Sequence, residues 1–415
     1  MLYVLHELNK RNIAPFVNLS IWGTHLFSDP FSPYSYLPQA KHIAAGFELL
    51  HRLGKDYEKP AWNIHSVEIN GQTVTVKEKV AVTKSFCKLV HFERSLSKNP
   101  AGDPVVLIVA PLSGHHATLL RDTVQTMLQS FDVYITDWID ARMVPVSEGD
   151  FHLDDYVQYV IDFIHFLGSN THIMSVCQPT VPVLAAVSLM ATHKDPIQVK
   201  SMVMMGGPLD TRKSPTSVND LAHHKSLTWF ETQLIHRVPS RYPGHNRRVY
   251  PGFLQHAGFV AMNPDKHMQS HYDYYLNLMR GNEMESEAHR KFYDEYNAVL
   301  DLPAEYYLDT IKVVFQEHQL PRGVWQVKGE LVKPADITRA HLLTIEGELD
   351  DITGKGQTKV AHKLCSHILK ENKQHYEVAR AGHYGIFSGR RWRTKVFPIV
   401  EEFINSADKA VASDA

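Results

Sequence analysis

Between Val105 and Gly206 short, continuous apolar runs alternate with helix-patterned stretches, and this alternation most narrows what the chain can fold into. VVLIVAP (105–111) is a continuous apolar run, as a strand buried on both sides is, and DVYITDW (132–138), THIMSVC (171–177) and VKSMVMMG (199–206) are further strand-like runs. TLLRDTVQTMLQS (118–130), LDDYVQYVIDFIHFLG (153–168) and VPVLAAVSLMATHK (181–194) separate them with helical length and spacing. Buried strands joined by helices imply a parallel sheet with right-handed crossovers. The expected fold class is α/β: a mostly parallel sheet with helices on both faces.

The alternation stops at Gly206-Gly207-Pro208 and resumes with HLLTIEGELDD (341–351), a short strand near HYEVA (375–379) and a helix TKVFPIVEEFINS (394–406). The intervening stretch is rich in His, Tyr, Met and Arg and is helical but irregular. The simplest organisation is a core in two parts, 101–207 and 336–407, interrupted by a lid at 208–335. Residues 1–100 form an N-terminal segment packed on or part of that core. It holds one helical stretch, PQAKHIAAGFELLHRLG (38–54), and alternating strands around Asn70-Gly71, a strong hairpin signal. The polar, alanine-rich end predicts a disordered tail at 408–415.

A lid over a cleft is where water-excluded chemistry is usually found, and the strand ends beneath it carry the reactive residues. THIMSVCQPTVPVLAAV runs from a buried strand straight into a helix through Ser175-Val176-Cys177-Gln178-Pro179. This resembles the G-x-S-x-G nucleophile elbow of α/β-hydrolases, with cysteine in the serine position. Such a turn presents the nucleophile at the carboxyl end of the sheet, beside the positive end of the next helix. Pro179 departs from the usual glycine but suits a first helical turn. By itself, the segment fits a buried structural cysteine equally well. Two later segments favour the catalytic reading because they follow in the order nucleophile, acid, histidine. Gly347 closes a buried strand and Asp350 lies three residues on, where a carboxylate can orient an imidazole; Asp351 is the rival. AGHYGIF places His383 between small residues after the last strand, suited to act as base toward the thiol and acid toward a leaving alcohol.

The oxyanion donors of such a site are the backbone N–H after the nucleophile, here Gln178, and one from the loop APLSGHH (110–116), with Leu112 first and Ser113 second. Each donor of this kind contributes about 3 kcal/mol to catalysis. Ser113, His115 and His116 are candidates to line the cleft, although polar loop histidines are as common. His267 and His271 have the i, i+4 spacing of a helical metal pair, but no third ligand of matching character accompanies them. No phosphate-binding glycine motif is present, so neither a cofactor nor a metal is expected.

Composition excludes other classes. Lys plus Arg (43) nearly balances Asp plus Glu (45), leaving no basic footprint for nucleic acid. Three widely spaced cysteines do not make a disulfide framework and suit a reducing compartment. The N-terminal MLYVLHELNKRNIAP lacks the basic start and long apolar core of a secretion signal, and no run of 18 apolar residues predicts a membrane span.

Taken together, APLSGHHATLLRDTVQTML, SVCQPTVPVLAAV, GGPLDTRKSPTSVN, EGELDDITGKGQT and AGHYGIFSGRRWR resemble the intracellular poly(3-hydroxybutyrate) depolymerases, members of the α/β-hydrolase superfamily, over nearly the whole chain. The resemblance implies the α/β-hydrolase fold with an inserted lid. It also implies hydrolysis of storage polyester through a Cys–Asp–His triad falling on Cys177, Asp350 and His383, and a cytoplasmic enzyme acting on polymer and oligomers at the granule surface. One alternative is a polyhydroxyalkanoate synthase-like acyltransferase using hydroxyacyl coenzyme A, with Arg237, Arg241, Arg247 and Arg248 as candidate phosphate contacts, although a solvated basic face is the simpler reading of that stretch. The other is a non-catalytic granule-binding protein.

Overall fold

A computed structural model describes residues 2–95 and 103–413. Nine strands form the main sheet: β1 (Ser66–Ile69), β2 (Gln72–Thr83), β3 (Cys87–Arg94), β4 (Val105–Val109), β5 (Asp132–Trp138), β6 (Thr171–Val176), β7 (Ser201–Met205), β8 (His341–Gly347) and β9 (Lys373–Val378). Their spatial order is β1-β2-β3-β5-β4-β6-β7-β8-β9. The first three are an antiparallel meander joined edge-on to β5, and the other six run parallel. Asn70 and Gly71 have φ of 50° and 76°, the left-handed pair that closes a two-residue hairpin between β1 and β2. The N-terminal strands are therefore part of the core sheet.

Right-handed crossovers then distribute the helices. The link from β4 to β5, through α3 (Arg121–Met127), moves one way along the sheet. The links through α4 (Leu153–Leu167) and α5 (Thr180–Thr192) move the other way and pack together on the opposite face. Every residue from Thr180 to Met190 is buried, which explains why this helix has almost no polar face. This is the α/β-hydrolase arrangement. Strand order reverses at β4, and ligands of open α/β sheets collect at the carboxyl ends of strands beside such a reversal.

Between β7 and β8 the chain leaves the sheet and forms the lid, whose principal helices are α6 (Gly252–Met262), α7 (Pro264–Arg280), α8 (Glu283–Tyr296) and α9 (Ala304–Thr310). Two findings differ from the sequence reading. First, residues Leu2–Ser28 form a long helix, α1, packed along α2 (Ala40–Gly54). Pro15 sits inside it and its apolar residues cover more than one face, which hides the helical period. Its start is tied to the lid: the Tyr3 hydroxyl donates to Asp301 at 2.6 Å. Its outer face leaves Phe16, Leu19 and Trp22 exposed, and Phe31 and Tyr36 in the following turn are also uncovered. Second, the final helix α10 (Phe397–Ser413) continues through the expected tail. Ala407 is fully buried and Asp408 pairs with Lys200 at 2.7 Å, so this end is held by packing; residues 414 and 415 lie outside the described residues. No helix is long and apolar enough to cross a membrane among the described residues.

Candidate active site

Strand register brings the loops that carry the candidate residues to one level. Val109 of β4 pairs with Ser175 of β6, Val176 of β6 with Met205 of β7, and Met205 with Ile345 of β8. The loops after these strands therefore emerge side by side, carrying Leu112, Cys177, Gly206-Gly207 and Asp350.

Cys177 has φ of 69°, a conformation that non-glycine residues seldom hold. Such strain persists only where surrounding bonds fix it. Here the Cys177 N–H donates to Met205 O at 2.7 Å, and Cys177 O accepts from the Thr180 N–H at 3.2 Å and the Thr180 hydroxyl at 3.0 Å. The turn into α5 needs room as well as bonds. A Cβ on Gly207 would stand 1.9 Å from Thr180 Oγ1, so only glycine lets the loop pass the elbow helix. At Gly206, φ is 54° and a Cβ would meet Ile386 at 2.8 Å and the His383 ring at 3.2 Å. The glycine pair makes space for a nucleophile turn on one side and an imidazole on the other.

His383 is 5% exposed and its Nδ1 lies 2.8 Å from Asp350 Oδ2. The other Asp350 oxygen accepts the N–H groups of Ile352 and Thr353 at 2.9 and 2.8 Å, which locks the carboxylate in orientation. Its side chain is 1% exposed. Asp351, the rival from sequence, turns outward: it is 54% exposed, with Lys266 3.9 Å away. Glu346 is occupied elsewhere, accepting three backbone N–H groups from Gly356, Thr358 and Lys359. Burial pulls the His383 pKa down, but the charges and hydrogen bonds of Cys177 and Asp350 outweigh it and hold the imidazole well above its ordinary value. A buried histidine with a carboxylate on one side and a thiol on the other can move a proton between sulfur and a leaving group.

The backbone N–H groups of Gln178 and Leu112 donate to no other group of the protein among the described residues. Both residues are buried, at 7% and 2% exposure. A cleft of about 490 Å³ opens onto His383 between the lid and the loops carrying Ile352 and Gly382–Gly385. Phe259 and Met262 of α6, Lys266 of α7, and Phe292, Tyr293 and Tyr296 of α8 form its lid side. Sequence reading did not single these out; the aromatic spacing in FYDEY (292–296) was the available signal. Ser113, His115 and His116 do not line this cleft. His115 lies behind its wall, stacked on Phe259 with ring centroids 4.7 Å apart and hydrogen-bonded through Nε2 to Tyr296 O at 3.1 Å. Burial lowers the pKa of His115 to about 4 and of His116 to about 3, so both are neutral packing residues of the loop. Other hollows lie elsewhere, one of about 890 Å³ between Val4 of α1 and the lid stretch from Glu231 to Arg248.

His267 is held by tyrosines, with Nδ1 2.9 Å from the Tyr293 hydroxyl and Nε2 3.2 Å from that of Tyr296. Of the four arginines of that stretch, Arg237 and Arg241 are exposed, Arg248 is partly buried and Arg247 is buried. Arg247 is buried and donates to the carbonyls of Val144, Pro145 and Gly149; Arg248 pairs with Glu231 and Glu305, and Arg241 with Glu7. Arg237 donates to Asn246 O.

Residues 206–408 match the protein-family model described as PHB de-polymerase C-terminus. No curated protein matches the chain. Solved structures similar to it include a carboxylesterase of the thaumarchaeon Nitrososphaera gargenis, 11% identical, covering 83% of this chain and 99% of its own with a TM-score of 0.42. A monoacylglycerol lipase of Paleococcus ferrophilus is 14% identical, covering 73% and 94%, TM-score 0.41. A thermophilic esterase of Thermogutta terrifontis is 9% identical, covering 80% and 99%, TM-score 0.42.

Proposed function

We propose, for a chain that through residues 206–408 belongs to the PHB depolymerase family of the α/β-hydrolase superfamily, that it hydrolyses the ester bonds of poly(3-hydroxybutyrate) through Cys177, Asp350 and His383. The observation that carries the chemical half of this reading is the Asp350–His383 hydrogen bond of 2.8 Å beside a cysteine held at φ 69° on a strand-to-helix elbow. Family membership supports the substrate.

In this mechanism His383 takes the thiol proton of Cys177, and the sulfur attacks an ester carbonyl. The oxyanion is stabilised by the N–H groups of Gln178 and Leu112. His383 then gives its proton to the departing alkoxide, the C–O bond breaks, and a thioester remains. Water loses a proton to His383, attacks the thioester and releases the acid, and the proton returns to sulfur. Asp350 keeps Nδ1–H of His383 directed toward itself and offsets the imidazolium charge. No step calls for a metal or cofactor.

The partner in this reading is polymer and its oligomers at the surface of a cytoplasmic storage granule. The uncovered apolar residues Phe16, Leu19, Trp22 and Phe31 support contact with a neutral, water-poor solid, since exposed apolar patches of this kind mark interaction surfaces.

The test is product release from amorphous poly(3-hydroxybutyrate) granules by the wild type and Cys177→Ala. Soluble 3-hydroxybutyrate or short oligomers from the wild type, and none from a Cys177→Ala protein that still binds granules, is the expected result. Equal release by both overturns the cysteine mechanism. No release from either, with coenzyme A freed from hydroxybutyryl coenzyme A, would move the chain to the synthase-like reading.

A further inference from the structure

Tyr306 is a buried hydroxyl that the mechanism above does not use. It lies on α9, the short lid helix that packs on α4, and is 1% exposed. Its ring stacks on Tyr156 with centroids 5.8 Å apart and lies 6.0 Å from Phe151. Tyr156 donates to Ala110 O at 3.0 Å, and Trp138 Nε1 donates to the same carbonyl at 2.8 Å. Ala110 leads directly into the loop that carries Leu112, so Tyr306 belongs to the aromatic wall beneath the oxyanion loop. In that wall every polar group but one is engaged. The Tyr306 hydroxyl has no hydrogen-bond partner among the described residues. The Thr310 hydroxyl on the next turn is committed to Tyr306 O at 2.8 Å. Tyr306 packs in the same core against which Cys177 rests. Burial pushes the phenol well above its ordinary value; the nearby Thr310 hydroxyl, which makes no geometric hydrogen bond to it, opposes the rise and Cys177 adds to it, so the phenol stays a neutral donor. The Gln178 carboxamide, next to the nucleophile, is also buried with both polar atoms unpartnered.

Buried polar groups are nearly always paired, and an unpaired one lowers stability. Phenylalanine would fill the same space without that cost, so the hydroxyl calls for a partner that arrives with substrate. The reaction supplies one. An acyl group joined to Cys177 from a 3-hydroxyalkanoate ester carries an oxygen on C3, two bonds beyond the carbonyl carbon. It is an ester oxygen within the polymer and a hydroxyl at a chain end, and either form accepts a hydrogen bond. A plain fatty acyl group has nothing there. We propose that the Tyr306 hydroxyl donates to the C3 oxygen of the bound acyl group and so selects 3-hydroxyacyl esters over unsubstituted ones. A site built to bond a substrate oxygen rejects the analogue lacking it more strongly than an apolar pocket can reject a difference in size. The inference rests on the Cys177 ester-hydrolase reading and adds a specificity residue to it.

The experiment measures kcat/KM of the full chain on p-nitrophenyl 3-hydroxybutyrate and p-nitrophenyl butyrate, for wild type, Tyr306→Phe and Cys177→Ala. The ratio of the two values should favour the 3-hydroxy ester in the wild type and fall by about 10- to 100-fold in Tyr306→Phe. The thermal midpoint of Tyr306→Phe should equal or exceed that of the wild type, because the lost hydroxyl has no partner to leave behind. An unchanged ratio overturns the proposal, whether both rates fall together or neither moves. A lowered midpoint with an unchanged ratio gives the hydroxyl a structural role instead. The underlying reading is checked separately by Cys177→Ala: wild-type turnover that survives this change removes the acyl-enzyme, and the proposal with it.

Discussion

Asp350 and Asp351 are adjacent carboxylates with the same local sequence environment, yet only one touches the histidine. Asp350 Oδ2 receives His383 Nδ1 while Oδ1 is held by two backbone N–H groups, so its position is fixed from both sides. Asn at this position could keep the backbone bonds but would present an N–H₂ to the imidazole and favour the wrong tautomer. Asp350→Asn should therefore lower kcat by about 10⁴, and Asp351→Asn by far less, in an ester-hydrolysis assay. The same change has a sign in titration. The Asp350 carboxylate is one of the charges raising the His383 pKa, so its removal should shift the His383 midpoint to lower pH, measured by NMR of the ring protons. A midpoint that stays put would mean that Asp350 does not stabilise the imidazolium.

At the scale of elements, the lid and the N-terminal helices divide two tasks. Helices α6 to α8 wall the cleft with Phe259, Met262, Phe292 and Tyr296, whereas α1 and α2 turn apolar residues outward. If that outer face holds an insoluble substrate, it should matter for polymer and not for a small ester. Phe16→Ser/Trp22→Ser should reduce the fraction of protein sedimenting with granules and the rate on granules, while turnover of soluble oligomers is retained. These side chains are 69% and 78% exposed, so replacing them removes little folded packing. An unchanged bound fraction would exclude this face as the contact.

Across the whole molecule, α1 is joined to the lid through a buried acid pair. Tyr3 donates to Asp301 Oδ2 at 2.6 Å, the Gly252 N–H to Asp301 Oδ1 at 2.8 Å, and Asp140 Oδ1 accepts the N–H of Asp301 at 3.2 Å. Burial raises the pKa of both carboxyls. The charge of Asp301 raises Asp140 further, while Arg142 opposes the rise at each. A carboxyl raised on folding binds more protons in the native state than in the unfolded chain. Its stabilising contribution is full below the ordinary carboxylate pKa and is lost as pH rises through the folded value. Asp301→Asn cannot ionise, and Tyr3 can reverse its hydroxyl to accept from the new amide. Denaturant unfolding of this variant over pH 4 to 8 should show a shallower decline in stability with rising pH than the wild type. Parallel curves would place the pH dependence elsewhere.

Much of this architecture is legible from residues alone because local pattern and burial coincide. Strand β4 is continuously apolar because both its sides are covered, and Asn70-Gly71 can close the hairpin because both residues accept a left-handed backbone. That Cys177, Asp350 and His383 stand on loops after strands is likewise readable, because the strands before them are. Tertiary structure decided what depends on contacts distant in sequence. The choice of Asp350 over Asp351 turns on which side of one loop faces a histidine 33 residues on. Helix α1 is held by α2 and the lid despite Pro15, and α10 persists past residue 406 because Ala407 and Asp408 meet the core and Lys200. The burial of the Tyr306 hydroxyl without a partner among the described residues depends on packing, since a single tyrosine in a short helix carries no periodic signal. Local sequence determines elements and their order; only packing determines which polar atoms are buried without a partner, because that depends on contacts distant in the chain.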